Sequence, residues 1–283
     1  MQKHREGLMR AVFAASASVS IACVLLICLF LFANSIPALN EIGLFRFLSG
    51  TRWKPGSNVY GIFPMILGSV CVTVGALVLG VPIALMTAVF MARFCPRRLL
   101  GPLTAAVNLL AGIPSVVYGF FGLTVLVPLV RDALGGNGYS ILTASLLLGM
   151  MILPTVAGVA LASIRAVPEG YYEGSLALGA SHERSVFFAV LPAARSGVLA
   201  GVVLGLGRAI GETMAVIMVA GNQARLPSGL LKGVRTLTTN IVMEMSYATD
   251  LHREALIATA SVLFVFILVI NLSLSLLKRR AGR

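Results

Sequence analysis

The stretch LGLGRAIGETMAV, Leu204 to Val216, lies in a run that carries no other charge between Ser196 and Ala224. Arg208 and Glu212 therefore sit four residues apart inside a segment apolar enough to cross a bilayer. An arginine at bilayer depth costs at least about 2.5–3.5 kcal/mol on insertion scales. The attraction of a helical i,i+4 pair, about 0.2–0.5 kcal/mol at a surface, is too small to explain keeping either charge. A working role is expected of the two residues, and the rest of the chain supplies its setting.

That setting is a membrane. Of the 283 residues, 58% are hydrophobic and only 11% charged, whereas soluble domains are about a quarter charged. Six stretches reach the roughly 20 apolar residues a crossing needs: about Ala11 to Ala33, Ile62 to Met91, Leu103 to Val130, Ser140 to Ser163, Val198 to Ala220 and Ala255 to Leu277. The expected fold is all-α and integral to the membrane, with six transmembrane helices. Residues 1–60 form a first helix and an external segment, and residues 61–283 a transmembrane core. The opening MQKHREGLMR has the basic character of a signal peptide. The apolar run behind it is longer than the usual ~7–15 residues and lacks a cleavage motif, so it reads as a retained helix.

The net charge of +12 does not point to nucleic acid, because the basic residues cluster at segment ends. Thirteen of them share one side if both termini are cytoplasmic: Lys3, Arg5, Arg10, Arg93, Arg97, Arg98, Arg165, Arg184, Arg195, Lys278, Arg279, Arg280 and Arg283. Eight lie on the other side, so the positive-inside rule places both ends inside. No CxxC spacing relates Cys23, Cys28, Cys71 and Cys95, and His4, His182 and His252 are far apart. Reduced apolar cysteines and no metal site are expected.

On one continuous helix Gly197, Gly201, Gly205, Arg208, Glu212 and Ala215 form a single stripe. Glycines at every fourth position allow a neighbouring backbone to come close, so Gly197, Gly201 and Gly205, with Gly211 in the same segment, are the helix-packing candidates. Two readings of the charges stand. One is an ion pair that locks two subunits together. In the other, Arg208 faces a water-accessible path and binds an oxyanion through its planar fork, with Glu212 holding it or accepting a hydrogen from a protonated oxyanion.

Pro82, Pro114, Pro128 and Pro154 are expected to interrupt helices at membrane depth, as happens at transport pathways. Pro114, in AGIPSVVYG, has Gly112, Ser115 and Gly119 around it. Pro114, Ser115 and Tyr118 are accordingly path-lining candidates. Trp53 and Tyr60 suit an interfacial aromatic belt. In LTTNIVMEMSYA, Leu237, Ile241, Val242 and Met245 suggest a short amphipathic helix at the interface.

The inside loop from Arg165 to Pro192 is too polar to span. Pro168 and Glu169 make a helix start, and Gly179 and Pro192 punctuate two short surface helices. Within it, EGSLALGASHERSVFFAVLP resembles the E-A-A-x-x-x-G…I-x-L-P signature of bacterial ABC importer permeases, with Glu173, Gly179, Leu191 and Pro192 in register. Gly174, Ser175 and Ala189 replace the usual Ala, Ala and Ile. The resemblance implies a type I importer permease fold whose coupling helix, from Glu173 to Gly179, docks on a cytoplasmic ATPase.

GLGRAIGETMAV, IPSVVYGFFGL and WKPGSNVYGIFP look like the PstC-type subunits of phosphate-specific importers. That resemblance implies a heterodimer with a PstA-type permease subunit, two PstB-type ATPase subunits and a phosphate-binding protein. The chain would then be a transport subunit in a bacterial inner membrane. Without a G-x-x-x-x-G-K-[ST] loop, it would bind no cofactor, ATP being used by the partner. Physical chemistry alone leaves other oxyanions, sulfate or molybdate, open. An ATP-independent anion transporter would leave Glu173 to Pro192 unexplained. A membrane phosphatase lacks a clustered nucleophile, acid and base.

Overall fold

The computed structural model describes residues 2–281; Arg283, counted above with the basic chain end, lies outside them. α1 runs from Gln2 to Ile42, about 60 Å at 1.5 Å per residue. Its apolar side chains from Val12 to Phe30 stand exposed, as a helix bathed in lipid requires. Its far end is fastened to the last helix, α14 (Asp250–Ala281): Ser35 Oγ and Ser261 Oγ are 2.6 Å apart, and Phe32 sits edge-on to Phe264.

α2 (Leu44–Ser49) and a hairpin of β1 (Trp53–Lys54) and β2 (Val59–Tyr60) follow, with Trp53 opposite Tyr60. Both aromatic rings are buried, so neither belongs to an interfacial belt. Trp53 Nε1 donates instead to Glu244 Oε2, 191 residues away, at 2.8 Å. A buried indole N–H needs a partner, and a residue that distant leaves no mark in local composition.

α3 (Phe63–Val89) runs on through a π-type turn to Phe94 and packs along α7 (Ile141–Arg165). The two backbones nearly touch: a side chain on Gly80 would fall 2.6 Å from the carbonyl oxygen of Gly149. Ser145 Oγ also donates to the carbonyl of Val72. Ser140 caps α7 by accepting the N–H of Thr143.

Two expected spans are divided. Leu103 to Val130 is not one helix: α4 (Arg97–Gly112) stops, and the crossing run is Ser115–Leu134, comprising α5 (Ser115–Phe121), a π-type turn and α6 (Val127–Leu134). Proline disfavours helical backbone at the residue before it, and Ile113 is accordingly extended, with ψ 127°. The other prolines do not break their helices. Pro82 and Pro154 lie inside α3 and α7, and Pro128 sits in the first turn of α6.

The connection from α7 forms α8 (Glu169–Ala177) and α9 (His182–Ser185), the latter running through a π-type turn into α10 (Leu191–Ala193). Pro168 precedes α8 and Gly179, at φ 87°, ends it. Pro192 begins a turn rather than ending one, and the axis bends by 70° into α11 (Arg195–Gly211). α11 then stops, and α12 (Met214–Val219) starts after Glu212 and Thr213.

α13 (Leu237–Glu244) buries Leu237, with Met245 packed beside the same cluster, but its polar side is buried too. Thr238, Thr239, Asn240 and Glu244 are buried, while Val242 points outward. A reciprocal Thr236–Thr239 capping box starts the helix, and Leu237 N donates to Ser69 Oγ of α3. Hydrogen-bonded partners make polar burial tolerable. Among the described residues five helices suit a membrane crossing, or six if the bent pair around Ala193 is one span.

Candidate functional site

Arg208 stands in the last turn of α11 and Glu212 just beyond its end. Within this chain they do not pair with each other. Among the described residues the ion pairs are Arg93–Glu169, Arg131–Asp132, Arg235–Glu244 and His252–Glu244. Glu212 has extended backbone, with ψ 132°, so the four-residue spacing spans a helix end rather than a helical turn.

Each charge complements the helix end beside it. A cation in the last turn of α11 and a carboxylate before α12 both oppose the local helix dipole. Glu212 Oε1 accepts the N–H groups of Thr213 at 3.1 Å and Ala215 at 3.2 Å. Its Oε2 takes no hydrogen bond from the described residues. Arg208 Nη1 donates to Thr155 Oγ1 of α7 at 3.2 Å. That leaves most of the guanidinium's donors, and one carboxylate oxygen, unused beside a gap in the helix.

The second gap lies close by. α5, which begins after Pro114, packs on α12: a side chain on Gly119 would fall 2.7 Å from Met218 Sδ and 3.0 Å from Ala215 Cα. Tyr118 is buried, and its hydroxyl donates across the gap to the Leu110 carbonyl at 2.9 Å. Ser115 is half-buried and Pro114 exposed. Interrupted helices that meet inside a membrane core free backbone groups where a polar solute can be held.

Gly197, Gly201 and Gly205 face α7. A side chain on Gly197 would collide with Ser163, one on Gly201 would lie 3.2 Å from the Val156 carbonyl oxygen, and one on Gly205 2.6 Å from Val156 Cγ2. Gly211 is different: a side chain there would meet nothing, so it does not belong to that packed face. Ala215, expected on the same stripe, lies beyond the break and is buried in the core with Tyr118 and Met151.

At the other end, Glu173 is exposed on α8 and Gly179 closes the helix, with its N–H on the Leu176 carbonyl at 2.8 Å. Leu178 at this tip is 91% exposed, and Phe188 further along the segment 79%, a strongly apolar surface. Leu191 packs inward against Val186 and Val190, and Pro192 stands exposed at the bend. The fold thus brings Glu173 and Gly179 to one tip and leaves Leu191 and Pro192 at its root.

Sequence reasoning missed a second charged site. Glu244 is buried, with Oε1 2.5 Å from Arg235 Nη1 and Oε2 accepting from Trp53, while His252 Nε2 lies 2.9 Å from Oε2. Arg235 also donates to the carbonyl of Asn222 and to Asn240 Oδ1. Thr238 Oγ1 donates to the Glu212 carbonyl at 3.1 Å, which ties α13 to the gap after α11. Thr155 was missed as well. Its hydroxyl follows Pro154, and only the fold brings it to Arg208. Among the described residues no cluster of His, Cys, Asp or Glu can hold a metal ion.

Helices interrupted inside an apolar bundle, with an exposed apolar tip on one connecting loop, define a transport protein of the membrane. The chain belongs to the family of binding-protein-dependent transport system inner membrane components, which matches residues 80–283. It is 36% identical over 273 residues to a probable ABC transporter permease protein, YqgH, of Bacillus subtilis, covering 93% of this chain and 88% of that one. It is 33% identical over 291 residues to the phosphate transport system permease protein PstC of Mesorhizobium japonicum, covering 94% and 89%. Its fold resembles a bacterial alginate ABC transporter solved with a periplasmic protein, at TM-score 0.66 and 16% identity over 95% of this chain and 94% of that one. The MetNI methionine transporter in an inward-facing form gives 0.61 at 18% identity, over 82% and 100%.

Proposed function

We propose that this chain is the PstC-type permease subunit of an ATP-driven importer of inorganic phosphate. Paired with a PstA-type subunit, it forms half of the path; two PstB-type ATPases and a phosphate-binding protein complete the assembly. Both termini face the cytoplasm, as the clustering of basic residues favours. Residues 1–60 attach a helix and an external segment to the transmembrane core of 61–283. The chain binds no cofactor, and ATP is hydrolysed by the partner ATPases.

The observation that carries this reading is that Arg208 and Glu212 are held apart at a helix gap, each with unused hydrogen-bonding capacity. A guanidinium supplies donors to phosphate oxygens. The free Glu212 oxygen accepts the hydrogen that monohydrogen phosphate carries and sulfate lacks. Relatives named as phosphate permeases support the choice of ion. The binding protein delivers phosphate from outside. ATP-driven closure of the ATPases then moves the tip around Glu173 and Gly179, and the bend at Leu191 and Pro192 passes that movement to α11 and Arg208. Pro114, Ser115 and Tyr118 line the path from the opposite gap.

The test is uptake by the complete importer in proteoliposomes. Arg208→Ala lowers phosphate uptake roughly ten- to a hundredfold, the worth of a charge-assisted hydrogen bond of ~1.5–3 kcal/mol. Uptake unchanged by this substitution, or sulfate carried as well as phosphate by the unaltered complex, overturns the reading.

A further inference from the structure

The exposed tip is tied to the second span through one arginine. Arg93, in the π-type turn that ends the Phe63–Phe94 helix, donates through Nη1 to both carboxylate oxygens of Glu169, at 2.9 and 3.0 Å. Its guanidinium carbon lies 5.3 Å from the centre of the Tyr172 ring. The Tyr172 hydroxyl is 2.7 Å from His182 Nδ1, and the His182 ring stands edge-on to Phe94 at 4.7 Å. The contacts form a closed circuit: Arg93 to Tyr172 on α8, Tyr172 to His182 on α9, and His182 back to Phe94, the residue next to Arg93.

Apart from Tyr172, half-buried against an apolar cluster that includes Ala88, Val89 and Ile164, little else holds α8. It has no buried residue, and side chains placed on Gly170 or Gly174 would meet nothing. Ser185 Oγ donates to Ser175 Oγ at 3.0 Å from the α9 side. The Arg93 side chain is only 14% exposed, whereas that of Glu169 is 55% exposed. A pair with one partner in solvent contributes little to stability, and an exposed cation–π contact only about 0.5–1 kcal/mol. Beside the continuous α3–α7 interface these are minor terms for folding.

We infer that Arg93 is the positioning residue through which movement of α8 reaches α3. The other end of the segment runs through the bend at Ala193 into α11, and both α3 and α11 pack on α7. One push on α8 therefore acts on both neighbours of α7, covalently on α11 and through Arg93 on α3. Arg93 reaches Glu169 through Nη1 alone, while the face of its guanidinium lies over the Tyr172 ring, so two residues of α8 fix its direction as well as its distance. The inference rests on reading residues 169–192 as the ATPase-facing segment.

The experiment uses the whole importer in proteoliposomes, with a photo-crosslinking residue at Leu178 reporting contact with the ATPase. Arg93→Ala keeps the cross-link and the ATP hydrolysis seen without phosphate. It loses phosphate imported per ATP by about tenfold, within the range of ordinary coupling free energies. Arg93→Lys, which keeps the charge but not the planar group over Tyr172, falls between Arg93→Ala and the unaltered chain. The double exchange Arg93→Glu with Glu169→Arg recovers most of the lost ratio. A wild-type ratio in Arg93→Ala, no recovery in the double exchange, or loss of cross-link and basal hydrolysis together would overturn the positioning role. Absence of the cross-link in the otherwise unaltered chain would instead overturn the ATPase-facing reading beneath it.

Discussion

Two arginine–glutamate sets sit in this molecule, one closed and one open. On α13 and the turn before it, Arg235 and Glu244 are in direct contact, and Trp53, Asn240 and His252 take up further hydrogen-bonding positions. After α11, Arg208 and Glu212 are kept apart, one on a threonine hydroxyl and the other on backbone N–H groups. Both oxygens of Glu244 are taken within the closed set, so its work is architectural. The open set is satisfied only in part, and the remainder is available to something that comes and goes. The two sets are joined, because Thr238 of α13 donates to the Glu212 carbonyl.

If that contrast is right, the largest effect on folding comes from the closed set. Glu244→Ala leaves Arg235 buried and unpaired and the Trp53 N–H without an acceptor, a change worth about 3–5 kcal/mol. A large drop in thermal stability of the purified subunit is expected, and the hairpin of β1 and β2 loosens with it, as protease sensitivity near Lys54 would report. Arg208→Ala inverts the pattern, with uptake collapsing while thermal stability barely moves. Equal destabilisation by both substitutions would erase the distinction between the two sets.

Glu212 lies between these extremes, because one oxygen serves the fold and the other is free. Removing a side chain that caps a helix start costs about 0.5–2 kcal/mol. Glu212→Ala therefore lowers both stability and uptake. Glu212→Gln keeps an acceptor for Thr213 and Ala215 but loses the charge, so its stability is nearer the unaltered chain than its uptake. Melting temperature and uptake measured on both variants separate the two roles; a parallel fall in both properties for the glutamine variant would assign Glu212 to the cap alone.

The apolar runs were legible because lipid demands them, and so was the entry to α8, where Pro168 and Glu169 signal a helix start in any environment. The interior breaks were hidden by the same uniformity. In a soluble helix a break shows as a change of pattern, but apolar residues continue across Ile113 and on either side of Glu212. The four-residue spacing of Arg208 and Glu212 fits a helical pair, yet a basic last turn, Gly211 and an acidic cap also describe one helix ending and another beginning. Trp53 and the polar side of α13 were misread for another reason. Apolar residues at helical spacing ordinarily mark the buried face, but Glu244 has partners far away in sequence that make its burial tolerable, and no local window contains both sides of that bargain.

The finest test of the open set is Thr155. Its hydroxyl accepts from Arg208 and so still has a proton to donate, which places a third polar group beside the gap. Thr155→Val keeps the branched shape in α7 and removes that oxygen. The net worth of one such hydrogen bond is about 0.5–1.5 kcal/mol, so uptake at limiting phosphate falls only about two- to tenfold, and Thr155→Ser restores most of it. If the hydroxyl only parks the guanidinium between transport cycles, the valine variant loosens Arg208 without removing a ligand, and uptake holds or rises. The sign of this small change thus tells whether Thr155 belongs to the proposed phosphate site or to its resting state.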